Sequence, residues 1–179
     1  MRIGVLADTH VPDRLSALPL GVGRALGKPD IVLHVGDATQ MDVLRWLRES
    51  WPLTFGVFGD QDNAEVRRCL QARQVVQFGS RRVGLIHGHV APAPHWPARL
   101  SQALQKPPVE ELLDRLLEQF TDQPVDCIVF GHTHRPLVRY YRGVLFFNPG
   151  AASGGRQQPV SVGTLEITDR SITAQIIEL

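Results

Sequence analysis

The chain has 179 residues with 19 Lys and Arg against 18 Asp and Glu, a formal net charge of +1, which gives no global pull toward nucleic acid or an anionic membrane. That length suits one domain spanning residues 1–179 with a substantial core. No apolar run approaches the roughly 20 residues that cross a bilayer, no leader pattern is visible, and Cys69 and Cys127 match no zinc spacing, so a reducing, cytoplasmic setting is expected.

In chain order, the first apolar run, Arg2 to Ala7, reads as a buried strand, followed by a short helix over Ser16 to Leu26. Ile31 to Val35 is the second strand. Met41 to Glu49 follows as a helix, with Val43, Leu44 and Leu47 at helical spacing. Leu53 to Phe58 is the third strand, and Asp62 to Leu70 the third helix. This alternation is βαβ logic and implies parallel strands. The second half changes character. Gly79-Ser80, Arg142-Gly143 and Asp169-Arg170 separate paired strand-like runs, at Val75 to Phe78 with Arg82 to His87, Leu137 to Tyr141 with Val144 to Phe147, and Val162 to Thr168 with Ile172 to Ile177. Such signals mark hairpins and antiparallel pairing. Between them lie a proline-rich stretch from Val90 to Pro108, with a short helix expected at Ala98 to Leu104, and an amphipathic helix from Val109 to Phe120. A further strand runs from Cys127 to Phe130. The predicted architecture is α/β, a four-layer α/β/β/α sandwich of two mixed sheets with helices on the outer faces.

Five of these strands end in the same way. Arg2 to Ala7 ends in Asp8-Thr9-His10, Ile31 to Val35 in Gly36-Asp37, and Leu53 to Phe58 in Gly59-Asp60-Gln61-Asp62. Arg82 to Ile86 ends in His87-Gly88-His89, and Cys127 to Phe130 in Gly131-His132-Thr133-His134. In α/β sheets, ligands bind beyond the carboxyl ends of strands, and carboxylates with imidazoles bind divalent transition metals. Asp8, His10, Asp37, Asp60, His87, His132 and His134 are therefore the candidate metal ligands. In an extended segment, residues two apart point the same way, so Asp8 with His10 and His132 with His134 are each expected to present both side chains to one place. A carboxylate bridges two ions well because its two oxygens can reach both.

This ordered series resembles the calcineurin-like metallophosphoesterases, and Asn148-Pro149-Gly150 matches the small members of that superfamily. The resemblance implies one ion held by Asp8, His10, Asp37 and His134 and a second held by Asp37, Asp60, His87 and His132. A hydroxide held between them would attack phosphorus in line. The two divalent ions would be manganese first, with iron, nickel or zinc also compatible with mixed His and carboxylate ligands. His89 is the catalytic candidate, as proton donor or phosphate contact. Arg14 and Asn148 are the substrate-binding candidates; Arg135 and Arg156 also fall in predicted rim loops.

One position departs from the family pattern. Most active members have Asn where this chain has Asp60. An ionised Asp keeps the oxygen ligand but loses an N–H donor, and three carboxylates against two divalent ions leave a net charge of about +1 rather than about +2. A singly charged diester loses less from that change than a monoester dianion. Gln61 replaces the His that larger phosphatases of the superfamily use as an acid. The same Gly-Asp-x-Asp variant, together with the Asp8 to Pro19 stretch, resembles the vacuolar protein sorting 29-like subgroup, whose retromer subunit serves as a scaffold. Two functions follow as expectations: a metal-dependent phosphodiesterase acting on a small-molecule phosphoester, or a binding module of low turnover on the same fold. No basic run or appended domain points to nucleic acid. No feature points to a membrane, and self-association is left open.

Overall fold

The fold is that of a computed structural model, described for residues 1–89, 109–155 and 158–179. The proline-rich excursion with its expected helix at 98–104, and Arg156, lie outside the described residues. The first sheet has the order β10-β9-β1-β2-β3, built from β1 (Arg2–Leu6), β2 (Ile31–Val35), β3 (Thr54–Val57), β9 (Ser161–Ile167) and β10 (Ile172–Glu178). The second has the order β4-β5-β6-β8-β7, built from β4 (Arg73–Phe78), β5 (Arg81–Ile86), β6 (Cys127–Val129), β7 (Leu137–Tyr141) and β8 (Val144–Asn148). Both sheets are mixed. β1, β2 and β3 run parallel with Ile3 beside Ile31 and Val32 beside Thr54, while β9 joins β1 antiparallel. In the second sheet β5, β6 and β8 are parallel, and the β4–β5 and β7–β8 hairpins close its edges.

Side-chain alternation along the strands divides the core into layers. Ile3, Val5, Leu33 and Val35 of the first sheet meet Val83, Leu85, Val129 and Phe147 of the second in the interior between the sheets. The opposite faces of the same strands, Leu6 and Val32, pack under helices α1 (Leu20–Leu26), α2 (Met41–Ser50) and α3 (Ala64–Cys69) through Val22, Leu26, Val43, Leu44, Leu47 and Val66. Ile86, Ile128 and Phe146 on the outer face of the second sheet are covered by Leu113 and Leu116 of α4 (Val109–Glu118) and by Phe120. Leu113 and Leu116 are fully buried; each contributes about 1.5–3 kcal/mol relative to an exposed side chain. The result is the expected α/β/β/α sandwich.

Two helices begin later than the apolar pattern predicts, for identifiable reasons. α1 starts at Leu20 rather than Ser16 because Pro19 sits at its cap, and a proline disfavours helical backbone in the residue before it. α3 starts at Ala64 because Asn63 is its cap, accepting a hydrogen bond from the Val66 N–H at 3.0 Å. Asp62 is thereby kept out of the helix and turned toward the strand ends. No helix among the described residues is long and apolar enough to cross a membrane.

Candidate metal centre

The parallel strands of both sheets end on one rim, and the five acid- or histidine-bearing ends meet there. Asp8 and His10 follow β1, Asp37 follows β2, Asp60 follows β3, His87 follows β5, and His132 and His134 follow β6. Their ligand atoms fall into overlapping groups: Asp8 with His10 and His134, Asp60 with His87 and His132, and Asp8 with Asp37 and His87, the atoms of each group within 4.8 Å of one another. Asp37 Oδ2 lies 3.6 Å from His10 Nε2 and 3.3 Å from His87 Nε2. It thus faces both the Asp8–His10–His134 cluster and the Asp60–His87–His132 cluster, at shorter distance to His87 than Asp8 Oδ1, which lies 3.9 Å from that ring nitrogen.

Convergence is achieved by backbone conformation rather than by strand alternation. Among the described residues, Asp8, His10, Asp37, His132 and His134 all have positive φ, between 47° and 65°. These left-handed turns replace the extended geometry predicted for the Asp8–His10 and His132–His134 pairs. Asp and His tolerate that region better than most residues, but it still costs energy and persists where the surroundings enforce it. Here the enforcement is visible. Asp62 Oδ2 accepts the backbone N–H of Asp37 at 3.1 Å and that of Gly59 at 2.6 Å, and its Oδ1 accepts that of Thr39 at 2.6 Å. One buried carboxylate therefore fastens the loop after β2 to the loop after β3. Thr39, itself at φ 68°, also donates through its hydroxyl to the Val11 carbonyl. Gly59 is required at its position because a Cβ there would lie 2.1 Å from Asp37 Oδ1.

Each ligand is aimed by a specific partner. Asp8 Oδ2 accepts the His132 backbone N–H at 3.0 Å, leaving Oδ1 turned into the site. His87 Nδ1 lies 2.7 Å from the Val35 carbonyl, which fixes the proton on Nδ1 and points the Nε2 lone pair inward. Asp37 Oδ1 accepts the Gln61 N–H at 2.9 Å. Asp37 Oδ2 is the oxygen turned toward His10 and His87. Gln61 also donates through its side chain to Asp60 Oδ2 at 2.7 Å, leaving Asp60 Oδ1 3.2 Å from His87 Nε2 and 3.1 Å from His132 Nδ1.

The donor set fits a cation. Asp8 Oδ1 and His87 Nε2 are buried and have no hydrogen-bond partner among the described residues, a costly arrangement unless something else occupies them. The electrostatics agree. Burial opposes charge on His87, yet the adjacent Asp37 and Asp60 carboxylates outweigh it and raise its pKa to about 10. The close approach of His87, aided by the Gln61 amide, holds Asp60 well below the usual carboxylate range. Asp37 is also lowered, because its contacts with His87 and Gln61 exceed its burial penalty. A proton on His87 stands where positive charge is required. Beneath the rim, His34 is fully buried, its pKa pushed down to about 4 by that burial, and its Nε2 lies 3.1 Å from the Thr9 hydroxyl.

The other candidates are placed as follows. His89 lies at the rim with its ring centre 5.4 Å from that of His87 and 6.4 Å from that of His132. Burial, followed by the charge of His87, lowers its pKa. Arg14 sits at the other side, its Nη1 3.2 Å from His134 Nδ1. Arg135 is exposed. Asn148 does not fit the expected substrate contact. It is fully buried, and its amide donates to the Gly131 carbonyl at 2.8 Å and the Thr133 hydroxyl at 3.1 Å while accepting the Gly150 N–H at 2.8 Å. It braces the loop that carries His132 and His134. Asp62 is the residue whose role sequence reasoning missed; its Gly-Asp-x-Asp spacing was the available signal.

Comparison with known proteins agrees with this fold. A protein of Methanothermobacter thermautotrophicus described as a probable metallophosphoesterase is 33% identical over 177 residues, spanning 99% of this chain and 92% of that one. The structure of Vps29 from Chaetomium thermophilum matches with a TM-score of 0.76 at 22% identity, over 98% of this chain and 96% of that one. Vps29 from Entamoeba histolytica, solved in complex with Zn²⁺, matches with a TM-score of 0.72 at 25% identity, over 99% of both chains. Residues 1–170 match the family model described as the calcineurin-like phosphoesterase superfamily domain, and the chain belongs to that superfamily.

Proposed function

We propose that this metallophosphoesterase is a phosphodiesterase with a dinuclear centre. The observation that carries the proposal is the position of Asp37 Oδ2, 3.6 Å from His10 Nε2 and 3.3 Å from His87 Nε2, between two clusters that each add one carboxylate and two imidazoles. On this reading Asp8, His10, Asp37 and His134 hold one ion, and Asp37, Asp60, His87 and His132 hold the other. Manganese is the proposed ion. Iron, nickel and zinc suit the same ligands, and the zinc complex of the Entamoeba relative supports transition-metal binding on this fold. Divalent ions there would acidify a water and neutralise phosphoryl oxygens.

The chain's own groups then shape the substrate preference. His89, held neutral by its lowered pKa, would offer an N–H to the phosphoryl group rather than a full charge. Arg14 would supply a bidentate fork for a non-bridging oxygen pair. Asp60 brings a third negative charge and no donor toward the phosphoryl oxygens, which disfavours a monoester dianion more than a diester monoanion. The test is hydrolysis of matched aryl phosphate mono- and diesters by metal-free protein resupplied with single metals. Diester hydrolysis restored by Mn²⁺, and exceeding monoester hydrolysis, is expected. Faster monoester hydrolysis, or turnover without metal, would overturn the assignment.

A second reading, a binding module with low turnover, draws on an apolar recess of about 440 Å³ between the loop before α1 and α2, lined by Leu18, Pro19, Val43 and Trp46 and bordered by Leu20. Metal-loaded protein that hydrolyses neither ester class would favour that reading.

A further inference from the structure

Arg14, His134 and His10 form a row whose direction can be deduced. Arg14 Nη1 lies 3.2 Å from His134 Nδ1, and His134 Nε2 lies 3.2 Å from His10 Nε2. A guanidinium donates five N–H bonds and accepts none. Its contact is therefore a hydrogen bond only when His134 Nδ1 is a bare lone pair. A neutral imidazole carries one N–H, so the His134 proton then sits on Nε2. The contact beyond it is oriented in turn: His134 Nε2–H donates and His10 Nε2 accepts. Both nitrogens assigned as ligands are thus engaged, one by holding a proton and the other by receiving it.

A cation in this cluster requires lone pairs at both Nε2 atoms. When a metal takes one ring nitrogen of a histidine, the proton resides on the other. For His134 that nitrogen is Nδ1, and two donors would then face each other across the Arg14 contact. The guanidinium charge, 3.2 Å from the His134 ring, opposes a cation as well.

We propose that the Arg14–His134 hydrogen bond and a cation in the Asp8–His10–His134 cluster exclude each other, so that cation binding releases Arg14 to bind the phosphate of the substrate. This rests on the metal centre proposed above and adds an order of events to it. The local structure permits the movement. Arg14 is exposed, while its backbone N–H donates to the His10 carbonyl at 2.8 Å and keeps its Cα beside the cluster. Before the ion enters, the guanidinium lies against His134. Afterwards it is a free planar fork at the rim, suited to a phosphate's oxygen pair. Anion affinity becomes conditional on the ion.

The test combines zinc calorimetry, imidazole nitrogen spectra and inorganic phosphate binding on the wild type and Arg14→Ala. In the metal-free wild type, His134 should show the Nε2–H tautomer and change to Nδ1–H on zinc binding. Arg14→Ala should tighten one of the two zinc-binding steps by about tenfold, the scale of a hydrogen bond from a charged donor. It should also weaken inorganic phosphate binding to the zinc-loaded protein by about tenfold. Opposite signs for cation and anion are what a merely structural arginine would not produce. An Nδ1–H tautomer in the metal-free wild type, or equal zinc affinity in both proteins, would overturn the inference while leaving the metal centre intact. Failure of the wild type to bind zinc at all would overturn both.

Discussion

The two halves of the candidate centre are built from similar side chains but differ in how they meet solvent. In the cluster after β1, Asp8 is fully buried, His10 is 2% exposed and His134 20% exposed. In the cluster after β3, His87 is fully buried, yet Asp60 is 33% and His132 43% exposed. The first is pinned by a backbone N–H on Asp8 and crowded by a guanidinium. The second is steadied by Gln61 and open at its rim. Burial strengthens electrostatic interactions and slows relaxation, so the first cluster should set geometry. The open one should admit substrate and respond most to its own charge. Asp37, held by Asp62 from behind, ties the two together.

The largest expected effect comes from removing that tie. Asp37→Asn replaces a carboxylate that faces both clusters with a neutral amide. Both metal-binding steps should weaken, and hydrolysis should fall by more than about 100-fold, the upper range for residues that merely support ligands. Two ions bound with unchanged affinity, measured by metal content after dialysis, would remove Asp37 from its bridging role.

Asp62→Asn tests whether the two halves depend on a shared support. An amide cannot accept through both atoms, so at least one of the N–H groups of Asp37, Thr39 and Gly59 loses its acceptor. A buried unsatisfied donor costs about 1–3 kcal/mol, readable as a lower thermal midpoint, and metal affinity should fall by about 10–100-fold. Unchanged affinity in a destabilised protein would show that Asp62 supports the fold but not the centre.

A smaller and more selective effect is expected at the open cluster. Asp60→Asn adds about one unit of positive charge and an N–H donor near the phosphoryl oxygens. The ratio of monoester to diester hydrolysis at saturating metal should rise by about tenfold, less than the ~3 kcal/mol a well-aimed donor can contribute, because a carboxylate ligand is lost. Equal changes for both esters would refute the charge argument.

Much of this was readable from residue order, and the reason is physical. Strands buried on both faces announce themselves as apolar runs, and their ends as the first Asp or His, so Asp8, Asp37, Asp60, His87 and His132 could be placed on one rim before any coordinates. What residue order did not carry was backbone conformation. The Asp8-Thr9-His10 and His132-Thr133-His134 segments look extended, but their outer residues are left-handed, because long-range hydrogen bonds such as His132 N–H to Asp8 enforce that shape. The inward turn of Asn148 and the three N–H groups gathered by Asp62 also depend on loops distant in sequence. The Arg14 contact with His134 joins residues 120 positions apart, and no local pattern encodes it.

The central claim is that the two clusters hold two ions sharing Asp37. It is tested most directly by anomalous diffraction from crystals loaded with Mn²⁺ or Zn²⁺. The account predicts two peaks about 3.5–4 Å apart, one among Asp8, His10 and His134 and the other among Asp60, His87 and His132, with Asp37 Oδ2 between them. A single peak, or two peaks that leave Asp37 without a metal contact, would contradict it.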